Sequence, residues 1–346
     1  MRATQWMAMA MGVWLAVSGG ASAGVQSLGG SLPNPAAGSY TSLLATDLLG
    51  GIYACDGNAL YKYSGSAFTL LYTGIVAAGG GAAFDPSALA VSANGSVAYV
   101  ASGFTGKVVR IDLAGPTPTA FGLSNVGLSS GSNFGLAVDP IYGRVFLTDS
   151  WTQALYVLDP AGTASPKLLD NFGGTGWAGG GLAFSPTGEL FIPVPTAYSA
   201  WPTDDAFTVD LYRFSRSWLD SVSAGTASTG AGQLYATGVV VSGSGSVAAD
   251  AEGHIYLTGA DAIYGINTAG SLTVVAGDPT LNAWDMWGCG FMGLAYDAKE
   301  DRLVTGYAAS FGDAFGLTAA DPAPEPASIG LVALGLAGLL ARRRTR

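Results

Sequence analysis

The chain has 346 residues, 49% of them hydrophobic and only 11% charged, with 52 Gly, 14 Lys plus Arg against 24 Asp plus Glu, and a formal net charge of -10. Where roughly 25% charge is usual, so low a share leaves Gly, Ser, Thr and Asn to cover the surface, which suits strands and turns better than helices. The acidic balance excludes a nucleic-acid binder held by phosphate contacts, and one His with two Cys excludes a Cys/His zinc cluster.

In chain order, Arg2 supplies a positive start, Trp6 to Val17 is almost wholly apolar, and Ala21-Ser22-Ala23 has the small-x-small spacing read by signal peptidase. Residues 1–23 are therefore expected to be a secretory signal peptide, taken by the secretion machinery and cut after Ala23. A retained anchor is the alternative, but an apolar run of about 12 residues falls short of the roughly 20 that span a bilayer.

Residues 24–320 contain six copies of one phrase, Leu-Ala-x-Asp/Ser, turn, aromatic or Val strand, turn, second strand. The copies begin at Leu44, Leu89, Leu136, Leu182, Val247 and Leu294, with spacings of 45, 47, 46, 65 and 47 residues. Only the fourth is long, and its excess falls in two insertions. Each copy predicts three strands and usually a weaker fourth, such as Phe68 to Tyr72 or Leu272 to Val275. Four antiparallel strands repeated with a period in the forties predict an all-β, six-bladed β-propeller. The sixth copy lacks an outer strand after Ala314 to Thr318, and Val25 to Leu28 is the expected replacement, closing the ring with the N-terminal segment. The third copy, GLAVDPIYGRVFLTDSWTQALYVLDP, resembles an NHL-type or gluconolactonase-type blade.

Residues 321–346 read as a separate segment: Pro324-Glu325-Pro326, then Ala327 to Ala341 without charge, then Arg342-Arg343-Arg344-Thr345-Arg346. An apolar stretch followed by a basic cluster is a stop-transfer arrangement, a short transmembrane helix with its arginines on the cytoplasmic side. The three parts in this order resemble the PEP-CTERM sorting signal, whose tail is also classified with the C-terminal domain of ice-binding proteins. The resemblance implies export across the inner membrane of a Gram-negative bacterium, transient anchoring there, recognition by an exosortase, and release to the cell surface or matrix. A simple single-pass anchor is the other reading. Without residues 1–23 and the tail, the body keeps nine basic and 23 acidic residues, a net charge of -14.

In a propeller of this connectivity, the loops leading into each first strand and those between second and third strands share one end of the central channel. Trp151 and Trp201 fall between second and third strands, and Trp177, Trp284 and Trp287 fall before first strands. Asn133, Asp85 and Asp285 share that end, as do Asp204, Asp205 and Asp278, while Trp218 maps to the opposite end. Aromatic plates beside carboxylates and amides suit sugar rings or an extended peptide, so this end is the candidate ligand surface. Tryptophans that only plug the channel are the competing reading. Cys55 and Cys289 map to adjacent blades at that end, so an exported chain is expected to join them in a disulfide, two buried free thiols being the alternative.

The gluconolactonase resemblance implies a divalent metal in the channel, held by a Glu ahead of the first blade, an Asn just before a Gly-Leu strand start and an Asp in a later blade. Here Ser39 to Leu43 has no Glu, Asn133 lies one residue too early, and Gly243 to Ser246 replaces the Asp. No metal residues or cofactor are therefore expected, and calcium at Asp204-Asp205 with Asp210 matches no calcium-loop spacing. The lone His254, expected at the start of a second strand, leaves no Ser/His/Asp constellation to assemble. The sequence thus points to an exported, non-catalytic binding or scaffold module for exopolysaccharide or a matrix protein, with a lactonase-like hydrolase and a purely structural matrix protein as the rivals.

Overall fold

The computed structural model describes residues 26–33, 43–103, 105–123, 133–149, 154–172, 181–199, 206–226, 230, 232–242, 246–259, 262–267, 271–277, 290–308 and 316–322. The strand order is that of six four-stranded antiparallel sheets. Strand β1 (Gln26–Ser31) precedes blade 1, which is β2 (Leu44–Thr46), β3 (Ile52–Cys55), β4 (Ala59–Tyr63) and β5 (Phe68–Thr73). A short helix α1 (Ile75–Ala78) leads to blade 2: β6 (Pro86–Val91), β7 (Val97–Ser102), β8 (Val108–Asp112) and β9 (Thr119–Gly122). Blade 3 is β10 (Asn133–Val138), β11 (Val145–Asp149), β12 (Ala154–Leu158) and β13 (Lys167–Asn171). Blade 4 is β14 (Ala183–Phe184), β15 (Leu190–Ser199), β16 (Ala206–Phe214) and β17 (Gln233–Ser242), with helix α2 (Arg216–Ser223) between its last two strands. Blade 5 is β18 (Val247–Ala249), β19 (Ile255–Thr258), β20 (Ala262–Ile266) and β21 (Leu272–Gly277).

Blade 6 is built from both ends of the body. Strands β22 (Gly290–Asp297), β23 (Arg302–Ala308) and β24 (Gly316–Ala320) are completed by β1, which pairs antiparallel with β24 at Gln26↔Ala319, Ser27↔Thr318 and Ser31↔Gly316. The N-terminal segment therefore supplies the outer strand, slightly longer than Val25 to Leu28. A register irregularity between Ser27 and Ser31 accompanies the left-handed backbone of Gly29 and Gly30 (φ +81° and +78°). A Cβ on Gly30 would stand 3.1 Å from the Ser66 carbonyl oxygen of blade 1, so the close approach as well as the φ requires glycine.

Each first strand touches the first strands of both neighbouring blades, so the six form a closed inner ring. Between successive blades lie six apolar clusters, one per interface. Leu60, Val100 and Ile111 sit between blades 1 and 2, Val108, Val145 and Leu147 between 2 and 3, and Phe146, Leu190 and Phe214 between 3 and 4. Phe191, Leu211 and Ile255 follow between 4 and 5, and Ile263, Val275 and Leu303 between 5 and 6. A strand buried on both faces has no polar side, which is why Val145-Phe146-Leu147 is apolar without a break.

Among the described residues the closing interface is the smallest, with Leu44, Ile52, Ala54, Val304 and Leu317 as its buried members and Leu28 and Leu32 packed against them. Its weakness is offset by β1 bridging both blades: besides pairing with β24, it accepts a hydrogen bond from the Tyr63 hydroxyl at the Leu28 carbonyl. The excess length of the fourth repeat becomes the long β15, β16 and β17 strands and helix α2, whose Ser215 cap accepts from the Trp218 amide.

Candidate functional site

The polar position that recurs in every repeat, Asp47, Ser92, Asp139, Ser185, Asp250 and Asp297, ends the first strand and opens the turn to the second. Each folds back on that turn. Asp47 Oδ1 accepts from the Leu49 and Gly51 amides at 2.9 and 2.7 Å, and its Oδ2 accepts from the Tyr53 hydroxyl at 2.8 Å. Asp139 accepts from the Ile141 amide and from Arg144, and Asp297 from the Lys299 amide and Arg302. The serines do the same more weakly, Ser92 accepting from the Val97 amide and Ser185 from the Glu189 amide. These are Asx and Ser turns that tie each inner hairpin.

Where the residue is Asp, the second strand or the residue just before it supplies a matching donor: Tyr53 and Tyr256 in blades 1 and 5, Arg144 and Arg302 in blades 3 and 6. Burial, then the Asp47 hydrogen bond and charge, pushes the Tyr53 phenol up. Burial and the Asp250 carboxylate do the same to Tyr256, so both remain donors and neither is a base.

His254 is the exception in residue type but not in role. Its Nδ1 lies 2.7 Å from Asp250 Oδ2, and with Asp250 and Glu252 it forms a group whose possible ligand atoms lie within 4.8 Å of one another. Asp250 is buried and already engaged: Oδ1 accepts from the Glu252 and His254 amides at 3.0 and 2.8 Å, and Oδ2 from the Tyr256 hydroxyl at 2.9 Å as well as facing His254. A carboxylate has about four acceptor sites, all of them met here, so the group serves the turn and does not fit a metal.

The inner ring encloses a cavity of roughly 140 Å³. Its wall is the Leu-Ala repeat phrase seen from inside, Ala45, Ala90, Ala137, Ala183, Ala248 and Ala295 in turn around the ring, and it extends to Leu48, Ala93, Pro140 and Pro186 in the turns after the first strands. Among the described residues its polar side chains are Thr46, Ser185 and Tyr296. All three are engaged, Thr46 with the Tyr296 carbonyl, Ser185 with Thr187 and Glu189, and Tyr296 with Asp301. The described wall thus offers a divalent cation no carboxylate, and the channel metal implied by gluconolactonase-type propellers does not fit these residues.

Of the residues singled out from the sequence, the described structure contains two ligand candidates, at the loop end opposite the Asp/Ser turns. Asp85 immediately precedes β6, its amide accepted by Ser102 Oγ at 3.1 Å, and burial holds its carboxyl above the usual range with no cation beside it among the described residues. Asn133 opens β10 opposite Asp149, one strand position inside the blade, where a loop residue is expected. Trp151, Trp177, Trp201, Trp284, Trp287 and Asp285 lie outside the described residues, as do Pro324, Glu325, Pro326, Arg342, Arg343 and Arg344. Cys55 is buried, and its Sγ donates to the Asp56 carbonyl at 2.9 Å; its expected disulfide partner, Cys289, lies outside the described residues. Burial, then the Asp56 charge, pushes that thiol up and makes it a poor nucleophile. Trp218 lies on α2 at the end carrying the Asp/Ser turns, packed on Phe214 with ring centroids 4.6 Å apart.

The inner cavity and the saturated Asp250 group were not singled out from the sequence. The Leu-Ala phrase carried the first as a signal, since six small residues at equivalent inner positions leave a lumen.

Residues 322–344 match the PEP-CTERM protein-sorting motif, which is read by exosortase-type sorting machinery and marks a protein sorted for export through a membrane-anchored stage. No curated protein matches the chain. Among solved structures, the chain is similar to a gluconolactonase from Xanthomonas campestris, at 15% identity and TM-score 0.55 over 86% of this chain and 89% of that one. It is also similar to a luciferin-regenerating enzyme, at 13% identity and TM-score 0.55 over 86% and 95% of the two chains. An auxiliary nutrient binding protein from Bacteroides thetaiotaomicron follows, at 11% identity and TM-score 0.57 over 85% and 75%. At these identities the likeness is one of fold, and the same fold carries enzymes and a binding protein alike.

Proposed function

We propose that this export-sorted six-bladed propeller is a non-catalytic binding or scaffold module that acts at the cell surface or in the extracellular matrix, with exopolysaccharide as its ligand class. The observation that carries this reading is how fully the chain's repeated polar groups are engaged. The Asp/Ser positions are held by their own turns, and the described channel wall presents no uncommitted nucleophile, base or metal ligand. The ligand surface is the opposite loop end, where Asp85 stands without a cation among the described residues and where Trp151, Trp177, Trp201, Trp284 and Trp287 fall by sequence position. Flat aromatic rings stack on the apolar faces of sugars while carboxylates and amides orient the hydroxyls.

The signal peptide over residues 1–23 belongs to this reading, as the segment that brings the chain to the sorting machinery. The test is retention of residues 24–323 on purified exopolysaccharide, run beside a lactone and esterase panel and a metal analysis. Retention without turnover is expected. Turnover with stoichiometric bound calcium or zinc would favour the hydrolase instead.

A further inference from the structure

We propose that the end of the propeller carrying the Asp/Ser turns rests on the membrane surface while the sorting tail is inserted. Three observations place it there, and none depends on the ligand proposed above.

The first is where the chain leaves the body. In blade 6, Ala320 pairs with Leu303, and Leu303 pairs with Tyr296 beside the turn at residues 298–301, so β24 runs out at the end of the Asp/Ser turns. Gln26, the start of β1, pairs with Ala319 and leaves at the same corner. Only residues 321–326 separate β24 from the apolar segment that begins at Ala327, a reach of at most about 20 Å even when fully extended. That reach is too short to let either end of the body face the bilayer at will.

The second is apolar exposure at that end. Leu48 and Leu49, in the turn of blade 1, are 39% and 67% exposed, and Ile141 and Tyr142, in the turn of blade 3, are 53% and 52% exposed. Other exposed large apolar side chains among the described residues, such as Leu70 and Val274, lie on the outer strands around the rim. Protruding Leu, Ile and Tyr suit a lipid interface, where Tyr sits at headgroup level.

The third is charge. Of the nine Lys and Arg in residues 24–323, eight lie in the half with the Asp/Ser turns, and Lys107, before β8, alone lies in the other. Several pair with carboxylates of the same half, Arg144 with Asp139, Arg213 with Glu189 and Lys299 with Glu300. This half therefore carries nearly all of the positive charge of a body of net charge -14, and it is the half an anionic leaflet repels least. The loop end with Asp85 then points away from the membrane, open to a ligand outside.

The full-length chain is placed through its tail in nanodiscs of phosphatidylcholine and phosphatidylglycerol containing a phospholipid with a photoactivatable headgroup, and the adducts are mapped by mass spectrometry. Adducts are expected on the peptides spanning 47–51 and 139–143, about tenfold above those on 102–107, the ratio that roughly one buried large apolar side chain sets. Leu49→Asp with Ile141→Asp, both at exposed positions, is expected to cut the turn adducts severalfold and leave the tail adducts unchanged. Equal labelling of both ends, labelling confined to the tail, or turn adducts indifferent to the two substitutions would overturn the proposal.

Discussion

Ring closure by β1 makes the most quantitative demand on this molecule. The Tyr63 hydroxyl donates to the Leu28 carbonyl, and Leu28 packs half-buried against the smallest of the six inter-blade clusters. Tyr63→Phe removes one part-buried hydrogen bond, about 1 kcal/mol. Leu28→Ala removes a half-buried side chain, about 1.5 kcal/mol against the 2 to 5 of a fully buried one. The two sites touch, so the double variant should lose roughly 2 kcal/mol, short of full additivity. For a domain of this size that lowers Tm by about 3 °C. Leu70→Ala, on the outer face of β5 at 53% exposure, is the control and should stay within about 0.5 kcal/mol.

Thermal unfolding gives the first reading and amide exchange along β24 the second, because losing β1 bares the edge of β24 and should unprotect it before any other strand. Deleting residues 24–38 should push both effects to the point of marginal folding. An unchanged Tm with β24 still protected would mean that β1 does not close the ring.

Asp250→Ala leaves the Tyr256 hydroxyl, His254 and two part-buried amides without their acceptor, and should cost about 3 kcal/mol, seen as a Tm lowered by about 5 °C, with Asp250→Asn nearer to wild type. Burial holds the Asp85 carboxyl above its ordinary range, so its ionisation opposes folding. That cost is absent below about pH 4 and grows as pH rises through the folded value. Asp85→Asn should therefore raise Tm slightly at pH 7 and not at pH 3, and a loss at pH 7 would mean that an unrecognised cation pairs with it. The buried Cys55 thiol should resist alkylation in the native protein and react only on unfolding. Peptide mapping without reductant reads this directly, and a Cys55 to Cys289 peptide would show instead that the two are joined.

The fold was legible because its determinants are repetitive. Six copies of Leu-Ala-x-Asp/Ser set six inner strands, and the apolar continuity of Val145-Phe146-Leu147 marked strands buried on both faces. Even the missing outer strand could be anticipated, since a blade short of one strand leaves an edge that some other segment must cover. The repeat hid the use of its polar residue. Asp at a fixed position looks the same in sequence whether it faces a lumen or folds back on the next turn. Only the register that sets Tyr53, Arg144, Tyr256 and Arg302 within reach decides that it is held. The end at which the sorting tail is rooted was likewise invisible until β24 was seen to pair between β23 and β1, because strand direction cannot be read from composition.

The central claim is that the loop end binds and does not merely fill the channel. Residues 24–323 carrying Trp284→Ala and Trp287→Ala, compared with wild type for retention on exopolysaccharide and for Tm, put it to the test. An aromatic ring stacked on a flat ligand face contributes roughly 0.5–1.5 kcal/mol beyond its buried area, so a binding role for both rings predicts about tenfold weaker retention at an unchanged Tm. Unchanged retention with a lowered Tm would contradict it and leave the tryptophans as packing alone.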